Sequence, residues 1–311
     1  MTEAEARREA TARLFRSVRA GRSWLREAAL SSGASASTAS SLPGCILMRS
    51  GEGPPVFMIP GAPGSVLQLG PVAAALTLPM PVYAIKPRGF DEGETPFDRL
   101  EEMADYNIRI ITDVKNSGPY LLVGYSAGGL IALEMARRLT MAGHAVPIVV
   151  LLDTYPSRQL WPLYCHLAIL ARQTIKSVWG LRRYSVARAG QYLGDRKHTL
   201  LWYLAQCGIR GITPSPLIPE GASPASRRLH QATVSAGEDY RPAPYRGRVV
   251  FLQPRENNNL KPRSPEQVWR RFLTDLEVRQ IPGSHLTAVE GDAISTAAEV
   301  SRCLAPFAEA R

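Results

Sequence analysis

Gly124-Tyr125-Ser126-Ala127-Gly128 is the stretch of this 311-residue chain that most plainly carries chemistry. The apolar run YLLVGY (120–125) leads into it, and a helical pattern from Ala127 to about Ala142 leads out. A strand that turns sharply into a helix at a serine is the layout of a nucleophile elbow, which presents the hydroxyl at the sheet edge near the positive end of the helix dipole. So tight a turn needs small flanking side chains, which accounts for glycine at 124 and 128 and alanine at 127. The plainer alternative is a strand-to-helix turn whose serine merely caps the helix.

A serine hydroxyl is a weak nucleophile at neutral pH, so the elbow requires a histidine base oriented by a carboxylate. Of the five histidines, His166, His198 and His230 fall in or beside a helical insertion, and His144 lies in the turn after the elbow helix. His285 follows the run VRQIP (278–282) in a Gly283-Ser284-His285 turn, at the sheet edge where the elbow should also lie, and is the expected base. Folds built around such an elbow run serine, acid, histidine along the chain, so the acid belongs between 126 and 285 at a strand end. Asp153, at the end of IVVLLD (148–153), and Glu256, just past VVFLQ (249–253), both qualify. Asp153 leaves an apolar run, where an uncompensated carboxylate is costly, and is preferred.

The oxyanion of a tetrahedral intermediate needs two backbone donors. One is the N–H after the nucleophile, on Ala127; the other is expected from Pro60-Gly61-Ala62-Pro63-Gly64. Proline has no N–H, which leaves Ala62, with Gly64 as substitute and a plain glycine-rich turn as the alternative.

These residues need elements to hold them. VFMIP (56–60), VYAIK (82–86), YLLVGY, IVVLLD, VVFLQ and VRQIP read as strands, alternating with helical stretches as in a largely parallel, helix-covered α/β sheet. Leu100, Met103, Ile110, Ile111 and Val114 sit at helical spacing and predict a helix over 96–117, with Thr95 as N-cap, Pro96 at N1 and Gly118 as the stop. Between IVVLLD and VVFLQ lie some 95 residues rich in helical pattern, too many for a structureless loop. Residues 155 to about 235 are therefore expected to form an inserted lid. Residues 3–29 read as an amphipathic, Arg-rich helix with Leu14, Phe15, Val18, Trp24 and Leu25 on one face, and 31–44 as a small, polar linker. This divides the chain into residues 1–50, helix and linker, and 51–311, the main domain with its lid. The N-terminal helix is either a solvated extension or a docking helix that could make a homodimer.

The chain is 45% hydrophobic and 21% charged, enough to build a core. Cys45, Cys165, Cys207 and Cys303 form neither a CxxC pair nor a metal-ligand spacing and are expected as buried free thiols. No apolar run is long enough to span a bilayer and no signal-peptide pattern opens the chain, so a cytoplasmic protein without a membrane partner is expected. The net charge of +10 is uneven: residues 155–235 hold 11 basic residues and 2 acidic ones. No nucleic-acid motif accompanies that concentration, which argues against nucleic acid; the charge belongs to the expected lid, where a solvated face is the plainer reading.

FMIPGAPGS, VYAIKPRGF, LLVGYSAGG, LLDTYP and GSHLTAV, spread over roughly 55–305, together resemble the type I thioesterases that end polyketide and nonribosomal-peptide assembly lines. The resemblance implies the α/β-hydrolase fold, an acid one strand after the nucleophile, as Asp153 is, and a helical lid between the acid strand and the next. It also implies release of an acyl chain from the phosphopantetheine thioester of a carrier protein, without metal or cofactor. The opening methionine and basic helix, where a carrier domain usually stands, suggest a freestanding form. Carrier proteins are generally acidic, and Arg158, Arg172, Lys176, Arg182, Arg183 and Arg188 are the lid residues expected to meet them. A carboxylesterase or lipase, an acyltransferase, and a silent binding protein on a hydrolase fold are the rival readings.

Overall fold

The structure is a computed structural model that describes residues 44–62, 65–91, 93–181, 203, 223–256 and 260–308. Each of the six apolar runs forms a strand: β2 (Val56–Ile59), β3 (Val82–Ile85), β4 (Leu121–Tyr125), β5 (Ile148–Leu152), β6 (Tyr245–Pro254) and β7 (Leu273–Ile281). A seventh, β1 (Cys45–Arg49), precedes them. Among the described residues these make one sheet in the order β1-β3-β2-β4-β5-β6-β7, parallel except for β1, which runs antiparallel to β3. β4 and β5 are buried at every position, as strands covered by helices on both faces must be.

The covering helices are α1 (Gly70–Ala75), α2 (Leu100–Val114), α3 (Ala127–Met141), α4 (Leu163–Leu181), α5 (Pro224–Asp239), α6 (Glu266–Trp269) and α7 (Ala293–Leu304). Side chains alternate across the sheet and build two cores. Phe57, Leu122, Val149 and Phe251 pack on the side of α2 and α3, whereas Met58, Val123, Val150 and Leu252 pack on the side of α1 and α7. The chain goes from β2 outward to β3, then crosses to β4 and continues the other way through β7. That reversal opens a crevice beyond the carboxyl ends of β2 and β4, the usual place for a ligand in an open parallel sheet.

Two boundaries differ from expectation. β1 lies before residue 51 yet belongs to the sheet; five residues on an antiparallel edge, with only Cys45 and Met48 buried, give too short an alternation to read. α2 begins at Leu100 with Arg99 as N-cap, not at Pro96 after Thr95. The intervening residues are engaged elsewhere: Phe97 packs on Tyr106 and under the Arg88 guanidinium, and Pro96 fills the space beside Gly89. Glu101 and Glu102 then favour the helix dipole in the first turn without a side-chain cap. The same helix ends at Val114, short of Gly118.

α3 ends as its sequence predicts. Gly143 takes φ +84°, and the N–H groups of Gly143 and His144 donate to the carbonyls of Thr140 and Leu139, closing a Schellman motif. Of the expected lid, α4, Tyr203 and most of α5 are described; Cys207, Arg182, Arg183 and Arg188 lie outside the described residues, as does the expected N-terminal helix. Cys45, Cys165 and Cys303 are buried free thiols.

Candidate active site

In the β4–β5 register Tyr125 stands opposite Leu152, so the next residues of the two strands, Ser126 and Asp153, leave the sheet side by side. Each takes a positive φ, 54° and 47° respectively, and among the described residues they are the non-glycine residues that do so. Such a conformation costs about 1–3 kcal/mol and persists only where its surroundings enforce it. Here the enforcement is close packing. A Cβ on Gly128 would strike the carbonyls of Ile59 and Pro60 at the end of β2, and one on Gly124 would strike the backbone of Gly128 and Gly129. Thr154 Oγ1 donates to the Ser126 carbonyl at 3.0 Å, while the Ser126 and Asp153 N–H groups reach the carbonyls of Leu152 and Leu252.

His285 stands past the end of β7, in the turn opened by Gly283 at φ +76°. Its Nδ1–H donates to Asp153 Oδ2 at 2.6 Å, which leaves Nε2 for a second partner. The imidazole stacks on the Tyr125 ring with centroids 5.0 Å apart, and the Tyr125 hydroxyl donates to the His285 carbonyl at 2.8 Å. Asp153 is 6% exposed, and Lys261 Nζ also donates to its Oδ2. Burial alone would raise this carboxyl, but the His285 hydrogen bond and the Lys261 charge outweigh it and hold the group below the usual carboxylate range. Burial, with the Asp153 charge behind it, pushes the Tyr125 hydroxyl well above its ordinary value, so it stays a donor.

The other candidates are placed elsewhere. Glu256 is exposed, with its N–H on the Gly283 carbonyl. His144 sits edge-on to Tyr120, and His166 bonds the Tyr203 hydroxyl at 2.7 Å. His230 lies on α5, and His198 is outside the described residues. The loop after β2 passes directly over the elbow, since a Cβ on Gly61 would come within 2.9 Å of Ser126 Cβ. Ala62 is half-buried on that loop and Ala127 opens α3; Pro63 and Gly64 lie outside the described residues. Beside Gly61 a narrow recess runs between Ile85, Met103, Ile131 and Leu229, with the buried Asn107 on its wall.

Three side chains at the site carried no readable signal. Tyr125 was visible in the motif only as a neighbour of the serine. Thr154 supports the elbow from the acid loop, with its carbonyl accepting from Trp269 Nε1 at 3.0 Å. Lys261 stands in a stretch, NNNLKPR (257–263), with neither periodicity nor motif.

Residues 54–181 match the thioesterase domain family. Among curated relatives, the nonribosomal peptide synthetase pngA of Aspergillus terreus is 34% identical over 115 residues, 37% of this chain and 12% of its own length. Polyketide synthase PksR of Bacillus subtilis is 38% identical over 117 residues, 37% of this chain and 4% of its own length. The chain thus spans about a tenth or less of these relatives. Among solved structures, the NocB thioesterase domain from the nocardicin cluster superposes with a TM-score of 0.56 at 21% identity, covering 85% of this chain and 100% of that one. The type II thioesterase YbtT of the yersiniabactin pathway superposes with a TM-score of 0.55 at 18% identity, covering 85% and 98%. At such identities the superpositions establish the fold. The chain therefore has the α/β-hydrolase fold of these solved structures, residues 54–181 match the thioesterase domain family, and about a third of the chain is similar in sequence to part of nonribosomal-peptide and polyketide synthases.

Proposed function

We propose that this protein releases a polyketide, peptidyl or fatty acyl chain from the phosphopantetheine thioester of a carrier protein, through an acyl-enzyme on Ser126. The observation that supports the reading best is the 2.6 Å contact of His285 Nδ1 with Asp153 Oδ2, made beside the strained elbow that presents Ser126. Ser126 Oγ attacks the thioester carbonyl while His285 Nε2 takes its proton. The N–H groups of Ala127 and Ala62 hold the oxyanion. The C–S bond breaks, and the thiolate leaves with the proton that His285 returns. Water then gives a proton to His285 as its oxygen attacks the acyl-serine carbonyl; the acyl–Oγ bond breaks, His285 returns that proton to Ser126 Oγ, and the free acid departs. Throughout, Asp153 keeps the imidazole in one tautomer and stabilises the imidazolium without itself taking the proton. The recess beside Gly61 gives the first carbons of the acyl chain an apolar surface.

The test is intact-mass detection of an acyl adduct on Ser126 after incubation with a panel of acylated carrier proteins. Ser126→Ala should show no adduct and lose at least about 10³-fold in kcat. Retention of near-full thioesterase activity by that variant would sink the mechanism. Matched oxygen esters hydrolysed faster than the thioesters would move the reading to a carboxylesterase.

A further inference from the structure

The Asp153 carboxylate has a second partner that a serine, a histidine and an acid do not require. Lys261 comes from the connection between β6 and β7, and its ammonium pairs with the same Oδ2 that accepts from His285. The Lys261 side chain is 16% exposed and lies over the Tyr155 ring, with Nζ 5.2 Å from the centroid. Around this pair stand Tyr125 under the imidazole and Tyr155 under the ammonium, both uncharged phenols, with Glu290 acting on Tyr125 from the segment before α7. Lys261 and His285 are the ion partners of Asp153 among the described residues.

A carboxylate this deeply buried and faced only by a neutral imidazole is poorly compensated until the reaction puts a proton on His285. Burial then favours a protonated acid, or one rotated towards water. A fixed ammonium removes both escapes. It balances the charge in the resting enzyme, and a directed bond to one oxygen fixes the plane in which that oxygen meets Nδ1.

The lysine is itself held from the lid. Arg172, half-buried on α4, donates from Nη2 to the Lys261 carbonyl at 2.7 Å, and Tyr164 of the same helix donates to the Gln267 carbonyl at 3.3 Å. The connection that supplies Lys261 therefore serves as the floor on which α4 rests. Resting on the reading of Ser126, His285 and Asp153 given above, we propose that Lys261 is a positioning residue that fixes the Asp153 carboxylate on His285, and that Arg172 makes this fixation depend on the seating of α4. With α4 seated, the acid is aligned. With α4 lifted, the 261 backbone loses its anchor and turnover slows.

The experiment uses the full chain and a small soluble thioester. Lys261→Met keeps an unbranched apolar stem and removes the charge. It should lower kcat about 10²-fold, the scale of a small misplacement of a catalytic group, with KM nearly unchanged. It should also abolish the downfield proton resonance of the Nδ1–H to Asp153 bond, while Lys261→Arg restores most of both. Arg172→Gln should lower kcat about fivefold and broaden the same resonance, the smaller effect expected of a group acting one step further away. Wild-type kcat and an intact resonance in Lys261→Met overturn the positioning role; the same result in Arg172→Gln overturns the coupling to α4. If Lys261→Met does not fold, as judged by circular dichroism, Lys261→Gln set against Lys261→Arg makes the same comparison. Ser126→Ala, run in parallel, separates the two levels. If it retains turnover, the underlying reading falls. If it is inactive while Lys261→Met is unimpaired, the proposal about Lys261 alone falls.

Discussion

Asp153 is the residue on which the site's electrostatics converge. Its carboxyl is buried, yet two charge-assisted hydrogen bonds hold it below the usual carboxylate range, so it is an anion throughout the neutral region. A carboxyl depressed on folding contributes stability that is complete above its unfolded value and is lost as pH falls through the folded one. Asp153→Asn should therefore flatten the acid side of the stability profile, in denaturant melts taken between neutral pH and the carboxylate range. The same variant should cost about 10³–10⁴-fold in kcat, because an amide cannot fix the imidazole tautomer as a carboxylate does. A loss below tenfold would mean that the His285 contact is structural. Much of this was legible in the sequence. A serine between small residues, and a carboxylate and an imidazole at strand ends in a fixed chain order, name their own positions. Lys261 and Thr154 were not legible, because what brings them to the site is the folding of remote connections and not any local pattern.

At the scale of elements, the elbow helix is secured by an ion network centred on one buried carboxylate. Glu134 on α3 is 2% exposed and accepts from Arg137 and Arg138 on its own helix and from the Tyr240 hydroxyl at 2.8 Å, just past α5. Arg138 continues to Asp105 on α2 at 2.5 Å. One carboxylate thus ties together the helix that carries Ser126, its neighbour, and the segment returning from the lid. Burial would raise the Glu134 carboxyl, but its hydrogen bonds from Arg137, Arg138 and Tyr240 prevail and lower it. Glu134→Ala leaves that cluster of donors without their acceptor and should destabilise the fold by about 3 kcal/mol, read as a shift in the denaturant midpoint at unchanged slope. Tyr240→Phe removes a single hydrogen bond to a charged group and should cost about 1.5–2 kcal/mol. Equal, negligible losses from both would show that α3 is held by its apolar face alone. The sequence gives the existence of α3 and its stop at Gly143 through periodicity and a left-handed glycine. It does not give the start of α2, because Pro96 and Phe97 are drawn into tertiary contacts that override their local preference.

Across the whole molecule, charge is segregated: residues 155–235 hold 11 basic residues against 2 acidic ones. The fold divides that group by task. Arg158 stacks over the Trp161 and Tyr203 rings, at 5.2 and 4.9 Å, within the lid, and Arg172 reaches the Lys261 carbonyl beneath it, so these two serve the packing and seating of the lid. Lys176 is exposed on α4, and Arg182, Arg183 and Arg188 follow that helix outside the described residues. If these four steer an acidic carrier protein, their effect acts over a Debye length, about 8 Å at physiological ionic strength, and appears chiefly in the association rate. Reversing Lys176, Arg183 and Arg188 to glutamate should lower kcat/KM on an acyl-carrier substrate about tenfold at low salt. It should leave kcat/KM on a small uncharged thioester unchanged, since a neutral ligand is not steered. Raising the salt should weaken the native protein on the carrier substrate and narrow its lead over the reversed variant, because screening removes the attraction in one and the repulsion in the other. Parallel losses on both substrates would place these residues in lid structure, as Arg158 and Arg172 already are, and no loss on either would leave the basic lid without a part in bringing substrate to Ser126.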